Sequence, residues 1–331
     1  MTHRANHEKY GVLFNELTEE DVESAAQFLS SIDTAAMEAW TSERIEIPEI
    51  GDQRFRMVVD RGEDEQAAVI VGGEFGNGIT PWALARARIV RDMVNPDATL
   101  IYQPNTTVGQ PNMNFSSDER RTLHEGGVEP FHDRLDIVLD RANAPDDLTF
   151  YGPSQGGVVA LSYATKQERP VAVAVVETPN VANRSQIELL KDFAGSGSQL
   201  KQVIQDNYEH PENIQEIFAK ETLEGLSIAG MTRFVRGILK ADNRAIAGIL
   251  RRDVAKAHMA TILDNKGSIV HSYGTANSVS PIDANRAITQ DLSPYARYQG
   301  VEMAGADHSI SNHYALNGAL ARAARNLLRV S

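Results

Sequence analysis

The sequence predicts an α/β protein: a mostly parallel central sheet covered by helices, with a helical segment inserted between two of its strands. Three observations carry this. From residue 67 onward, short apolar runs alternate with stretches of helical period, the signature of βαβ units whose sheet is buried on both faces. One of those runs passes through a glycine-rich turn directly into a helical stretch. Finally, roughly 80 residues separate two of the core strands, too many for an ordinary αβ connection, and they carry Leu, Ile, Phe and Val at helical spacing.

Before the sheet, the segment Thr18 to Trp40 opens with Thr18 and Asp21 in a loose capping box. Val22, Ala25, Phe28 and Leu29 follow at helical spacing, so residues 1–43 read as an N-terminal helical extension. Arg44 to Ile47 and Arg54 to Val59 alternate apolar and polar residues around the turn formers Pro48, Gly51 and Asp52, which predicts an antiparallel hairpin. Next come a strand at Ala67 to Val71, a helix near Pro81 to Met93, a strand at Thr99 to Tyr102 and a helix near Pro130 to Arg141. The series continues with a strand at Leu148 to Tyr151, a helix from about Gln155 to Lys166 and a strand at Val171 to Val176.

Residues 181–263 read as a helical cap or lid, with Ala194 to Ser198 (AGSGS) as a hinge, so the core comprises residues 44–180 and 264–331. The closing elements are a strand at Ile269 to Tyr273, a helix near Pro281 to Gln290, a weak strand around Tyr298 to Met303 and a helix from Ile310 to Leu328.

With 331 residues, 42% of them hydrophobic, the chain buries a large core. A formal charge of −13 argues against general affinity for nucleic acid or anionic membranes, which need clustered positive charge. No apolar run approaches membrane-spanning length, and Met1 to Tyr10 lacks the apolar centre of a secretion signal, so a cytoplasmic protein is expected. Cysteine is absent, which excludes disulfides, thiolate metal sites and a cysteine nucleophile. There is no zinc, EF-hand or nucleotide fingerprint, and His124, His132 and His271 have no ligand spacing; neither a metal nor a cofactor is expected.

The chemistry concentrates at Gly152-Pro153-Ser154-Gln155-Gly156-Gly157. Set between a strand and a helix, this G-x-S-x-G run has the context in which a serine is presented as a nucleophile. A serine so placed sits in a strained backbone conformation, and side chains two positions before or after it would collide with neighbouring elements; Gly152 and Gly156 meet that demand. A hydroxyl at neutral pH needs an adjacent base. Of the nine histidines, His308 alone lies in a strand-to-helix loop near the C-terminus, within Met303-Ala304-Gly305-Ala306-Asp307-His308-Ser309. His313 falls inside the following helix and is a weaker candidate.

The order of strands, the Gly152 to Gly156 turn, the cap after the next strand and the His308 loop together resemble the α/β-hydrolase superfamily over about Arg44 to Val330. That resemblance implies a serine hydrolase, with Ser154 as nucleophile and His308 as general base. The third member departs from the usual pattern: where many relatives carry an acid in G-x-x-D-x-x-x-P, this chain reads Gly274-Thr275-Ala276-Asn277-Ser278-Val279-Ser280-Pro281. Asn277 can accept a hydrogen bond from the imidazole but cannot offset the imidazolium charge. Glu177, directly after the apolar strand, is the preferred acid, since some relatives supply theirs from that position; Asp283 and Asn277 are the alternatives.

For the oxyanion, the resemblance implies the backbone N–H of Gln155 and a second N–H from the glycine-rich loop Gly72 to Gly78, either Gly73 or Glu74. Arg233, Arg236, Lys240, Arg244, Arg251, Arg252 and Lys256 give the cap either an approach for anionic substrates or ordinary solvated faces. The expected activity is hydrolysis of a carboxylic ester, thioester or amide on a small acyl substrate. A peptidase or acyltransferase on the same residues and a noncatalytic binding or structural module are the alternatives. The cap is a candidate contact surface between copies of the chain.

Overall fold

The computed structural model describes residues 18–74, 78–105, 112–143, 146–178, 185, 188, 241–275, 277, 279–303, 308 and 314–329. Two helices, α1 (Glu19–Ser30) and α2 (Thr34–Arg44), precede the sheet. The apolar period alone predicts one helix here. The chain breaks because Asp33 takes an extended conformation and its carboxylate caps α2, accepting from the N–H groups of Ala35 and Ala36. The Thr18 and Asp21 box is present, each side chain accepting from the other residue's backbone N–H.

The expected hairpin forms with its tip rebuilt. Strands β1 (Ile45–Glu46) and β4 (Met57–Asp60) pair antiparallel, while β2 (Glu49–Ile50) and β3 (Gln53–Arg54) make a small separate ribbon. The remaining strands are β5 (Asp64–Gly72), β6 (Ala98–Gln103), β7 (Asp147–Pro153), β8 (Ala172–Val176), β9 (Ser268–Gly274) and β10 (Tyr298–Met303). The main sheet runs β1-β4-β6-β5-β7-β8-β9-β10, with β5 through β10 mutually parallel and β4 antiparallel to β6.

Both faces of the sheet are buried, and the two-residue period of a strand sorts its side chains between them. In β8, Val173 and Val175 join one cluster while Ala172, Ala174 and Val176 join the other. The first cluster is covered by α5 (Glu129–Arg141), α6 (Gln155–Ala164) and α8 (Ala255–Asp264), through residues such as Phe131, Leu135, Val158, Met259 and Ile262. The second is covered by α3 (Pro81–Val94) and α10 (Tyr314–Leu328), through Leu84, Val90, Leu316 and Leu320. Each such fully buried valine or leucine contributes about 1.5–3 kcal/mol relative to exposure.

Two further helices are α4 (Ser117–His124) and α9 (Ile282–Leu292). The first is not anticipated by the sequence reading; it is short and buries only Leu123, so it lacks an apolar period, although its Ser116 and Glu119 capping box is there to be read. Most of the expected cap, including Arg233, Arg236 and Lys240, lies outside the described residues. Its described end comprises α7 (Ala241–Ile249), whose Arg120–Asp242 ion pair at 2.8 Å joins it to α4, and the core helix α8. Arg251 and Arg252 donate to the carbonyls of His124 and Glu125, and Lys256 pairs with Asp291, so these three cations tie neighbouring elements together. Among the described residues no helix is long and apolar enough to cross a membrane.

Candidate active site

The parallel strands end in step: Val71 lies beside Tyr151, Pro153 beside Val176, Val176 beside Ser272 and Gly274 beside Met303. The residues that follow these ends therefore gather along one edge of the sheet, where sites form in open α/β folds. Ser154 follows β7, Glu177 follows β8, Asn277 follows β9 and His308 follows β10.

Ser154 is buried, with φ 49° and ψ −122°, in the left-handed half of backbone space that costs a non-glycine residue about 1–3 kcal/mol. The conformation is held by the Ser154 N–H donating to the Val176 carbonyl at 2.7 Å, and by the Gly157 N–H donating to the Ser154 carbonyl at 3.0 Å. The flanking glycines are required: a Cβ on Gly152 would lie 2.5 Å from the Gly156 carbonyl oxygen, and one on Gly156 would lie 2.9 Å from the carbonyl carbon of Gly72. The elbow is thus packed directly against the end of β5.

The Ser154 Oγ lies 2.9 Å from His308 Nε2. On the far side of the ring, His308 Nδ1 lies 3.3 Å from the Asn277 side-chain nitrogen. The same nitrogen donates to Glu177 Oε2, while Glu177 Oε1 accepts from the Gly274 N–H at 2.6 Å. Asn277 Oδ1 accepts from the N–H groups of Val279 at 2.8 Å and Ser280 at 3.2 Å. Glu177 is fully buried at φ 54°, its own N–H bonded to the Ser272 carbonyl at 2.9 Å. The four side chains form a chain in the order Ser154, His308, Asn277, Glu177.

Relative to the sequence reading, Ser154, His308, Glu177 and Asn277 are brought together, with Glu177 behind Asn277. Asn277 presents its N–H2 to the imidazole and not its carbonyl, the reverse of the expected acceptor role, because its oxygen is committed to two backbone donors. Asp283 stands exposed in the first turn of α9. Gln155 is the first residue of α6, where a helix leaves its N–H without an intrahelical acceptor. Asp307 and His313 lie outside the described residues.

The loop after β5 is tied down by polar contacts. The Gly73 N–H donates to the Gln103 carbonyl at 2.8 Å, and the Asn105 side chain donates to the Glu74 carbonyl at 3.2 Å. The Glu74 carboxylate pairs with Arg86 of α3 at 2.8 Å. Burial works to lower the pKa of this almost fully enclosed guanidinium, but Glu74, with Tyr151, Tyr314 and Tyr102, outweighs it and holds Arg86 above the ordinary arginine range. Sequence reasoning missed Arg86; an arginine on a helix face otherwise formed by Ala83, Ala87 and Val90 was the available signal.

No group of histidine and acidic side chains among the described residues is arranged to hold a metal ion. No family model matches the sequence. No curated protein matches it either. Solved structures do match. A carboxylesterase structure from the ammonia-oxidizing thaumarchaeon Nitrososphaera gargenis is 13% identical, with a TM-score of 0.52 over 81% of this chain and 92% of that one. The thioesterase domain from the curacin biosynthetic pathway is 14% identical, with a TM-score of 0.51 over 87% of this chain and 99% of that one. An α/β-hydrolase enzyme from a Medee basin deep-sea metagenome library is 12% identical, with a TM-score of 0.52 over 80% of this chain and 90% of that one. At these identities the likeness speaks to architecture, and with the strand order and the elbow it leads to one statement: the chain has the α/β-hydrolase fold.

Proposed function

We propose that the protein is a serine hydrolase acting on a small acyl substrate, a carboxylic ester first and a thioester or amide on the same residues. The observation that carries this is the 2.9 Å approach of Ser154 Oγ to His308 Nε2 at a left-handed elbow on the sheet's C-terminal edge. The fold's frequent use for such chemistry, in neighbours that include a carboxylesterase and a thioesterase domain, supports the choice by analogy.

In this reading Ser154 Oγ bonds to the substrate's carbonyl carbon as its proton passes to His308 Nε2. The oxyanion so formed collapses, breaking the bond to the leaving group, which takes the proton from His308. Water then repeats the sequence on the acyl-enzyme and releases the acid. The Gln155 N–H, at the positive end of α6, faces the developing oxyanion. The second donor is assigned to the loop after β5, at Gly73, whose N–H also donates to the Gln103 carbonyl, or at Glu74. Glu177 is the buried carboxylate that offsets the imidazolium, through Asn277. A cytoplasmic location belongs to the same proposal and is tested by fractionating cells that make the full chain.

A fluorophosphonate probe tests the reading. The folded protein should label at Ser154, and Ser154→Ala should not label. Failure to label from neutral to alkaline pH would overturn the hydrolase in favour of a binding module, a second reading that the amide at position 277 favours.

A further inference from the structure

We infer that Asn277 sets the tautomer of His308, holding the resting imidazole with its proton on Nε2 and so with Ser154 as acceptor, the reverse of what attack requires. The kinetic part of this inference rests on the hydrolase reading above; the tautomer assignment does not.

The amide of Asn277 has one orientation that satisfies its surroundings. Its oxygen accepts from the Val279 and Ser280 N–H groups, and its nitrogen donates to the Glu177 carboxylate. Turning the amide over would set its N–H2 against two backbone donors and its oxygen against a carboxylate, trading attractions for repulsions at a position only 7% exposed. Glu177 is itself held, by the Gly274 N–H at 2.6 Å and by the bond from its own N–H to Ser272. What Asn277 offers to His308 Nδ1 at 3.3 Å is therefore an N–H donor.

A donor at that position pairs with a lone pair on Nδ1, and a neutral imidazole with a lone pair on Nδ1 carries its proton on Nε2. Nε2 then donates to Ser154 Oγ across the 2.9 Å contact. The tautomer able to accept the serine proton would place an Nδ1–H against the Asn277 N–H2, two donors facing each other in a buried site. Asn277 is thus a positioning residue and Glu177 its anchor. Replacing the acid of a serine triad by its amide lowers turnover about 10⁴-fold through this same reversal, and here the amide is the native residue.

The geometry also supplies the perturbation that tests this. Exchanging carboxylate and amide in the double variant Glu177→Gln with Asn277→Asp keeps the net charge and satisfies every contact described above. The carboxylate moved to position 277 would accept from Val279, Ser280 and the His308 Nδ1–H. The amide moved to position 177 would donate to that carboxylate and accept from Gly274.

The experiment is ¹⁵N NMR of the histidine rings in the full chain without ligand, at about pH 8.5, where an ordinary imidazole is neutral. His308 is assigned from the signals lost in His308→Gln. The native protein should show Nε2 protonated and Nδ1 bare, and the exchanged protein the opposite. Turnover of p-nitrophenyl acetate and fluorophosphonate labelling should both rise about 10²- to 10⁴-fold in the exchanged protein, with KM little changed. An Nδ1–H in the resting native protein would overturn the inference, and that spectrum decides the matter even if the double variant fails to fold. A reversed tautomer without faster labelling would overturn its kinetic part. If neither protein labels while the native Nε2 is protonated, the hydrolase reading falls and the tautomer assignment stands.

Discussion

Acidification should unfold this protein through two buried imidazoles outside the Ser154–His308 pair, and His132 is where the effect can be isolated. His132 sits on α5, packed edge to face on the Tyr163 ring at 5.2 Å between centroids, with neither ring nitrogen hydrogen-bonded among the described residues. Burial, aided by Lys166 and His258, pushes its pKa down to about 3 from an ordinary value of 6.5. His271, buried in β9 with Nδ1 3.2 Å from the Tyr298 hydroxyl, is pushed down by burial to about 4. Between those values and 6.5 the unfolded chain binds protons that the folded chain refuses. Stability contributed by the neutral rings is therefore present above about pH 6.5 and lost as pH falls, at about 1.4 kcal/mol per pH unit for each ring.

At about pH 5 each histidine has removed about 2 kcal/mol, a figure insensitive to the folded pKa so long as it lies below about 5. His132→Phe keeps the ring packing and removes the titration. Urea unfolding at about pH 7 and about pH 5 should show the variant losing about 2 kcal/mol less than the native protein across that interval. Carboxylates titrating in the same window are common to both proteins and cancel. An equal loss in the two would refute the assignment of a buried neutral imidazole to position 132.

Gly156→Ala should disrupt the elbow, since its Cβ would press on the end of β5 at 2.9 Å; we expect about 1–3 kcal/mol less stability by thermal unfolding, and loss of probe labelling. Arg134→Met should cost about 3–5 kcal/mol in urea unfolding, because the fully buried guanidinium donates to the carbonyls of Met113, Asn114 and Pro130 and pairs with Glu119 at 2.5 Å. Glu74→Ala should remove the carboxylate paired with the enclosed Arg86 and lower stability by the same measurement. Asp283→Ala should leave turnover unchanged and shift stability by less than about 1 kcal/mol, as expected of an exposed first-turn carboxylate.

Where a single local rule decided the outcome, the sequence was readable. The all-apolar run at Val171 to Val176 could only be a doubly covered strand, and the small residues around Ser154 had one steric explanation. His308 was found by its place in the order of elements, which the sheet topology carries to Ser154 across 154 positions. Elements settled by one polar side chain were harder. Asp33 ends one helix and begins another within a continuous apolar period, and α4 stands on a capping box with little burial behind it. The direction of the Asn277 amide was beyond reach, because it depends on a carboxylate 100 positions earlier and two backbone donors just beyond it. Glu177 was correctly drawn to the edge of the sheet, but its place behind Asn277 is a matter of ångströms that spacing does not encode.

The clasp between the two ends of the chain bears on how the protein is made. Helix α1 is held to α10 by the Asp21–Arg322 ion pair at 2.7 Å, and Ala25 and Met37 share a buried cluster with Ile89, Tyr314 and Ala315. During synthesis at about 5–20 residues per second, the first helices can meet α3 early but must wait roughly 15–60 s for α10 to complete the cluster. Over that interval the part of the cluster that α10 covers is open to chaperones. A ribosome stalled before α10 emerges would leave the nascent chain with that cluster half built.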